Sequence, residues 1–312
     1  MFKSFLKRRP APELDWYKAA DPADRREYDA FGPWIWEVRD EAGMPPRFRP
    51  AYPRVRDARF LLKVPVEAER RNLRPGMDLY RAVLAVSEHG ATLLTLEADG
   101  FAERHLEWPE IVALRCYQNL LLSRLILLLA DGGELTLAYN TVSKELMERV
   151  AGFIRERLCA ASGPAPQPEP ASAELDDHFF RALYREVQRW GAPAAPLFYD
   201  RPGRPCRNAK GRRRISNGTL VLDAGRDLVV VDRTQPMRSR WHAEYAYQRT
   251  FIPYRRIRSF ALTHSPLWHE QELHTLTLDL AGRHEEVPCL SVPERVAEAL
   301  GQHGIPAAAQ PA

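Results

Sequence analysis

Residues 217–232, NGTLVLDAGRDLVVVD, contain two short runs of leucine and valine separated by Ala224 and Gly225. Two apolar runs of strand length around a glycine-containing turn predict a β-hairpin. In the segment that follows, TFIPYRRIRSF at residues 250–260, Tyr254 stands three residues before Ile257.

The first half of the chain repeats this pattern in the same order. In the first half a hairpin pattern lies at 82–97, a connecting segment with Trp108 three residues before Ile111 at 105–114, a further hairpin pattern at 125–139 and an amphipathic helix at 144–158. Their counterparts in the second half lie at 218–232, 250–260, 274–290 and 294–300. Each half ends in the residues ERVA, at 148–151 and 294–297, and Ile111 and Ile257 each precede their copy by 37 residues. The repetition indicates a diverged duplication, and chance convergence of two unrelated strand-rich domains is the alternative.

The stretch 217–232 followed by 250–260 resembles the bacterial pleckstrin-homology-like (PH-like) domains and their GRAM-type relatives, and residues 78–158 resemble the same unit. The resemblance implies an α+β, predominantly antiparallel β fold with two PH-like bent sheets or partly open barrels, each closed by a C-terminal helix. The expected divisions are an N-terminal extension with a short helix and a Pro-rich extended segment (1–77), repeat 1 (78–158), a Pro-rich linker (159–174), a linking helix (175–191) and repeat 2 (192–303).

Composition limits the classes of protein that remain. The chain has 312 residues and a net charge of +4, but residues 80–158 hold eight Lys/Arg against eleven Asp/Glu, whereas residues 201–300 hold seventeen against eleven. No apolar run approaches the roughly 20 residues of a membrane-spanning helix. The four cysteines are scattered without a CxxC pair, which favours a reducing cytosol over a disulfide framework. We therefore expect a cytoplasmic protein, with a peripheral position at the inner face of the membrane as an alternative.

The most basic stretch, RPGRPCRNAKGRRR at 201–214, contains no acidic residue. It predicts a site for phosphates or anionic headgroups. The candidate anion-binding residues are Arg204, Arg207, Lys210, Arg212, Arg213, Arg214, Arg255, Arg256 and Arg258. Some PH domains bind inositol phosphates near their first strands, which is what the resemblance implies here; the alternative is a solvated surface loop. Nucleic acid is not favoured, because no known reader motif is present.

Apart from this basic stretch, FGPWIWEV (31–38) offers Phe31, Trp34 and Trp36 as candidate partner contacts, with intramolecular packing as the alternative. The basic N-terminus, with Phe2, Phe5 and Leu6, has the pattern of a small membrane foot, and a frayed tail is the alternative.

Two metal-site look-alikes are incomplete. In HEQELH, His269 and His274 are five residues apart, one more than a zinc-protease helix needs. His242-Ala243-Glu244 with Pro288-Cys289 lacks the second cysteine of a zinc deaminase, because position 292 is valine. We therefore expect no metal, no cofactor and no catalytic residues.

Together these features predict a non-catalytic cytoplasmic tandem PH-like adaptor that binds an unknown protein partner or a second copy of itself. The alternative is a peripheral membrane module that binds anionic lipid headgroups through the basic segment of repeat 2.

Overall fold

The computed structural model describes residues 15–160, 175–189, 194–208, 210–264 and 273–308. It has an α+β fold in which the strands pair antiparallel and the helices are few, so the predicted fold class is confirmed at this level. The chain divides into two units, Met1–Ala85 with Leu93–Arg104, and Val86–Thr92 with His105–Ala312.

The first unit holds a five-stranded sheet and three short helices. Its elements are α1 (Asp15–Ala19), α2 (Pro22–Ala30), β1 (Trp36–Glu37), α3 (Tyr52–Val55), β2 (Phe60–Pro65), β3 (Tyr80–Val86), β4 (Gly90–Glu97) and β5 (Gly100–Glu107), and the sheet follows the order β1-β2-β3-β4-β5. The ends of β3, β4 and β5 group with the second unit. Asp21 caps α2 by accepting a hydrogen bond from the amide of Ala23 at 2.7 Å, and Pro22 occupies the first turn, as the Asp-Pro pair predicts.

The second unit contains the remaining elements. They are β6 (Ile111–Asn119), β7 (Leu122–Leu129), β8 (Glu134–Asn140), α4 (Lys144–Cys159), α5 (His178–Arg189), β9 (Ala195–Asp200), β10 (Pro205–Arg207), β11 (Arg213–Ser216), β12 (Thr219–Asp223), β13 (Asp227–Asp232), β14 (Met237–Arg238), β15 (Tyr247–Pro253), β16 (Ser259–His264), β17 (His274–Asp279), β18 (His284–Cys289) and α6 (Glu294–Gln302). They form three sheets, ordered β8-β7-β6-β15-β13-β12-β9, β16-β17-β18 and β10-β11-β14.

The seven-stranded sheet joins the two halves of the chain. At its centre β6 pairs with β15, from Tyr247 opposite Gln118 to Phe251 opposite Leu114. Three strands of the first half thus share one sheet with four strands of the second, whereas the sequence analysis expected a separate bent sheet in each half. β7 is the most apolar strand, and Leu125–Leu129 are all buried.

The hairpins predicted at Ala224-Gly225, Asp131-Gly132 and Gly282 are confirmed as β12–β13, β7–β8 and β17–β18. The linking helix predicted within 175–191 is confirmed as α5. The Asp177 carboxylate caps it by accepting hydrogen bonds from the amides of Phe179 and Phe180 at 2.9 and 3.1 Å. A further hairpin, β6–β7, turns at Leu120-Leu121 and was not predicted.

The order of elements recurs along the chain. Three strands, a 3-10 turn, three strands and a helix follow each other as β3 to α4 and again as β12 to α6, with β14 inserted in the second series. The limits of the predicted repeats, 78–158 and 192–303, stay a prediction. Most of the predicted linker (159–174), the N-terminal foot at Phe2, Phe5 and Leu6, and His269 lie outside the described residues. No helix in the described part of the chain is long and apolar enough to cross a membrane.

Candidate functional site

One register row crosses all seven strands of the large sheet and defines one of its ends. From β9 to β8 the row consists of Asp200, Thr219, Asp232, Gln248, Tyr117, Arg124 and Ala138. Four connections leave the sheet beyond this row: residues 201–218, residues 233–246, the β6–β7 turn and residues 141–143, which lead from β8 to α4. We call this side of the sheet the row end.

The predicted basic stretch supplies β10 and the first residues of β11 in the three-stranded sheet β10-β11-β14 at the row end, which we call the basic sheet. Its hairpin turn is shaped by Asn208, whose side chain accepts hydrogen bonds from the amides of Lys210 and Arg212 at 3.1 and 2.9 Å. Gly211 supplies the left-handed conformation that the turn needs, with φ +70°. Cys206 is buried and packs with Leu273 and Leu290 in a small apolar cluster. The sequence therefore folds the arginine-rich stretch as a hairpin rather than as an irregular loop.

The exposed face of the basic sheet concentrates positive charge. Arg207 lies directly opposite Arg213, so both side chains project from the same face, and two like charges in such a pair disfavour each other. Ile215, two residues beyond Arg213, pairs with Arg238 and adds a third arginine to that face. An anion bound between these guanidinium groups would relieve the repulsion.

Few carboxylates offset this charge. Within the described residues, no ion pair to a carboxylate is made by Arg204, Arg207, Lys210, Arg212, Arg213 or Arg214. The hydrogen bonds of two of these side chains go to carbonyl groups of the hairpin itself: Arg207 to Gly211 at 3.3 Å and Arg214 to Arg213 at 3.0 Å. Arg201, outside the predicted set, pairs with Asp176 at 3.0 Å.

The structure does not bring the other three predicted basic residues to this site. They follow β15 at the end of the large sheet opposite the row end. Arg255 donates two hydrogen bonds to the carbonyl of Leu158, at 2.8 and 2.6 Å, and Arg256 donates one to the carbonyl of Trp108 at 2.9 Å. Burial, reinforced by the neighbouring Arg255, lowers the pKa of Arg256. Arg258 is exposed. Arg255 and Arg256 hold a 3-10 turn in place.

Sequence reasoning missed two exposed aromatic residues beside the basic sheet. Trp241 is 86% exposed and Tyr245 is 63% exposed, in the connection between β14 and β15. The guanidinium group of Arg240 lies 5.7 Å from the centre of the Trp241 ring. Interleaved basic and aromatic residues in RSRWHAEY (238–245) were the signal that could have identified this segment.

In the first unit, the three predicted contact aromatics separate into two environments. Phe31 is buried against Leu73, Leu79 and Tyr80. Trp34 and Trp36 are about 40% exposed and meet edge to face, with ring centroids 6.0 Å apart.

Trp36 lines a cleft of about 430 Å³, also in the first unit. The cleft is lined too by Lys63, whose ammonium group lies 4.3 Å from the centre of the Tyr80 ring and 3.8 Å from the Glu27 carboxylate. Burial lowers the pKa of Lys63, while Glu27 acts in the opposite direction.

A charge-balanced cluster ties α4 and α5 to the large sheet. Lys144 lies 3.0 Å from a Glu186 oxygen, while Arg249 lies 3.1 Å from the other Glu186 oxygen and 3.5 Å from Glu148. Two cations thus meet two carboxylates, and the cluster has a structural role. Burial raises the pKa of the neighbouring Cys116 thiol to about 11, which keeps this group protonated at neutral pH.

Within the described ranges, no three His, Cys, Asp or Glu side chains converge on a point that could hold a metal ion. Comparison of the chain with protein-family models and with curated proteins finds no match. The main candidate site is therefore the basic sheet at the row end, together with the exposed aromatic residues beside it.

Proposed function

We propose that this chain is a non-catalytic tandem PH-like protein that binds anionic membrane surfaces through the basic sheet. The observation that carries the proposal is that Arg207, Arg213 and Arg238 share one face of this sheet and form no ion pair with a carboxylate of the described residues. Basic residues near a negatively charged leaflet each contribute about 1 kcal/mol, and this attraction falls off within a Debye length of about 10 Å. Exposed Trp and Tyr side chains suit the same location, because their rings favour the headgroup region.

The recurring order of elements supports the PH-like part of the proposal. Apart from the inserted β14, each series contains two groups of three strands, with a 3-10 turn between the groups and a helix at the end. The segments that resemble PH-like domains, 217–232 and 250–260, contain β12, β13 and the turn after β15. These elements correspond to β3, β4 and the turn after β5 in the first series.

Co-sedimentation with vesicles tests the proposal. Arg207, Arg212 and Arg213, all exposed, are changed to Gln together, and binding to phosphatidylcholine vesicles with and without phosphatidylserine is measured at low and near-physiological salt. Loss of three basic contacts should weaken binding to anionic vesicles about 100-fold. A matched triple variant, Arg226→Gln, Arg258→Gln and Arg295→Gln, removes the same charge from exposed positions outside the basic sheet and should bind like the unmodified protein. Equal loss in both triples, or no binding to anionic vesicles, would refute the proposal.

A second candidate function is protein binding or self-association, as an adaptor. The exposed pair Trp34–Trp36 beside the cleft in the first unit favours it, since exposed tryptophans are common at the centres of protein interfaces. Sedimentation equilibrium over a range of concentrations tests self-association. A dimer that disappears on Trp34→Ser/Trp36→Ser and persists in the triple arginine variant would support it; a monomer at all concentrations would exclude the second copy as partner.

A further inference from the structure

The β6–β7 hairpin ends in an exposed apolar tip. Leu120 and Leu121 form the two-residue turn and are each 67% exposed, and Leu122 is 36% exposed. The amide of Thr141 donates a hydrogen bond to the carbonyl of Leu121 at 2.9 Å, which places Val142, 58% exposed, beside the leucines. We call these four apolar residues the leucine tip.

Leucine is an unfavourable residue in the conformation that this turn requires. Leu120 has φ +51°, a left-handed conformation that glycine and asparagine adopt at little cost and that most other residues avoid. Two-residue hairpin turns favour such residues for this reason. Because the leucine side chains are mostly exposed, their burial does little to offset this conformational cost. A strained, exposed residue of this kind points to a role outside the stability of the hairpin.

The two chain segments that form the tip carry no negative charge. Residues 117–124 and 138–143 contain Arg124 and no Asp or Glu, whereas Lys144, which follows, is paired with Glu148 and Glu186. The guanidinium group of Arg124 lies 5.2 Å from the centre of the Tyr117 ring. An apolar tip flanked by the Arg124 guanidinium group and by amide or hydroxyl groups matches the layered chemistry of an anionic membrane surface, with headgroups outside and acyl chains beneath.

The leucine tip and the basic sheet extend from the same end of the large sheet. Tyr247 pairs with Gln118 at the last position of the β15–β6 ladder, and two residues further outward on these chains stand Tyr245 and Leu120. The basic sheet leaves the same end from β9, β12 and β13. The row spans six interstrand spacings of about 4.8 Å, so it is about 29 Å wide and offers two separated contacts to one flat surface.

We propose that the leucine tip inserts into the boundary between headgroups and acyl chains of the membrane on which the basic sheet docks. This inference rests on the proposed function and adds an apolar anchor that orients the row end towards the bilayer. The basic sheet supplies a salt-sensitive attraction, whereas burial of the leucine side chains adds binding that salt does not screen. The exposed Tyr245 lies between the two contacts along the row end.

An environment-sensitive nitrobenzoxadiazole (NBD) probe reports insertion directly. All four native cysteines are buried, so Leu121→Cys offers a single accessible thiol for labelling. On phosphatidylserine-containing vesicles, the probe at position 121 should shift its emission to the blue and become inaccessible to an aqueous quencher. The matched control is Asp131→Cys in the β7–β8 turn, at the opposite end of the same strand β7, where the label should stay in water.

A second variant separates insertion from folding. Leu120→Asn/Leu121→Ser removes the apolar tip and places a residue suited to φ +51° in the turn, so its thermal midpoint should equal or exceed that of the unmodified protein. Its partition onto anionic vesicles should fall at least about tenfold. The loss should be most evident at near-physiological salt, where the attraction of the basic sheet is screened and the leucine side chains supply more of the binding.

The outcomes distinguish this inference from the proposed function. A probe at 121 that stays in water on vesicle-bound protein, with binding still dependent on Arg207, Arg212 and Arg213, would overturn the insertion and leave the basic-sheet function standing. Absence of binding to any vesicle would overturn both. A dimer in light scattering that the Leu120→Asn/Leu121→Ser variant loses, with unchanged vesicle binding, would assign the tip to a second copy and overturn the insertion.

Discussion

Arg155 on α4 and Asp227 on β13 form a bidentate ion pair, with Nε to Oδ2 at 2.6 Å and Nη2 to Oδ1 at 2.8 Å. Both residues are almost completely buried, and the guanidinium group also lies 5.0 Å from the centre of the Phe251 ring. The pair links the last helix of the first half of the chain to a strand of the second half. The two halves therefore depend on each other for their stability.

Removal of one partner should be costly. Asp227→Ala leaves a buried, unpaired guanidinium group and should lower the free energy of unfolding by about 3–5 kcal/mol. The double variant Arg155→Met/Asp227→Leu replaces the pair by apolar groups and should recover most of the loss. Urea denaturation followed by tryptophan fluorescence measures both. If the double variant proved less stable than Asp227→Ala, unpaired charge would not be the cause.

The second half alone should not fold. A fragment of residues 175–312 lacks β6, so the edge of β15 loses its partner strand, and it lacks Arg155, so Asp227 is left unpaired. We expect broad amide proton resonances or aggregation for this fragment. As a control, a protease site inserted within 161–174 of the full chain should give two pieces that elute together in size-exclusion chromatography. A well-dispersed spectrum from the fragment would show that repeat 2 is autonomous.

Stability should depend on pH through Asp232. Burial raises the pKa of its carboxyl group to about 7, opposed by Arg115 and by a hydrogen bond from Gln248, whereas an unfolded aspartate has a pKa of about 3.9. The folded protein therefore retains a proton that the unfolded chain releases, so this contribution is complete below about pH 4 and is lost as pH rises towards 7.

The variant Asp232→Asn isolates this effect. From pH 5 to pH 8 the free energy of unfolding should fall by about 2–3 kcal/mol more in the unmodified protein than in the variant. Asp200, whose pKa burial raises to about 6, remains in both proteins and does not affect the difference. Asp99→Asn, at an exposed position, serves as the control and should follow the unmodified protein. Parallel curves for Asp232→Asn and the unmodified protein would contradict the assignment.

The native thiols should be inert. Burial raises the pKa of Cys116 to about 11 and, with a smaller effect of Asp227, that of Cys159 to about 12, and Cys206 and Cys289 are buried as well. Since the thiolate is the reactive form, Ellman's reagent at neutral pH should find no fast-reacting cysteine in the native protein and four in denaturant. One thiol that reacts at the rate of a free cysteine would indicate an opening that the structure does not contain.

Glycine-containing turns allowed three of the hairpins to be predicted from the sequence. Gly132, Gly225 and Gly282 all have positive φ, and each falls where two apolar runs meet. The turn at Leu120-Leu121 was missed for the opposite reason, since a leucine in the left-handed conformation carries no turn signal. Periodicity also could not reveal that β6 pairs with β15, because an alternating pattern fixes the faces of a strand but not its neighbour.

The candidate site was predictable in part. The run of basic residues at 201–214 identified the segment. Its fold as a hairpin depends on the turn at Asn208 and on the packing of Cys206 beneath the sheet. The grouping with Arg255 and Arg256 failed to anticipate that both side chains bond to backbone carbonyls. The spacing of arginines along the chain does not show which of them lie together on a sheet and which form structural hydrogen bonds to the backbone.

The shared sheet also has a consequence for synthesis on the ribosome. β6 is complete at Asn119, but the strand that covers its edge ends at Pro253, roughly 130 residues later. At about 5–20 residues per second, the nascent chain carries this open edge for roughly 7–27 seconds. During that interval the apolar strands β6 and β7 are exposed to neighbouring nascent chains. The risk of misassociation during synthesis is therefore concentrated between the completion of β6 at Asn119 and that of β15 at Pro253.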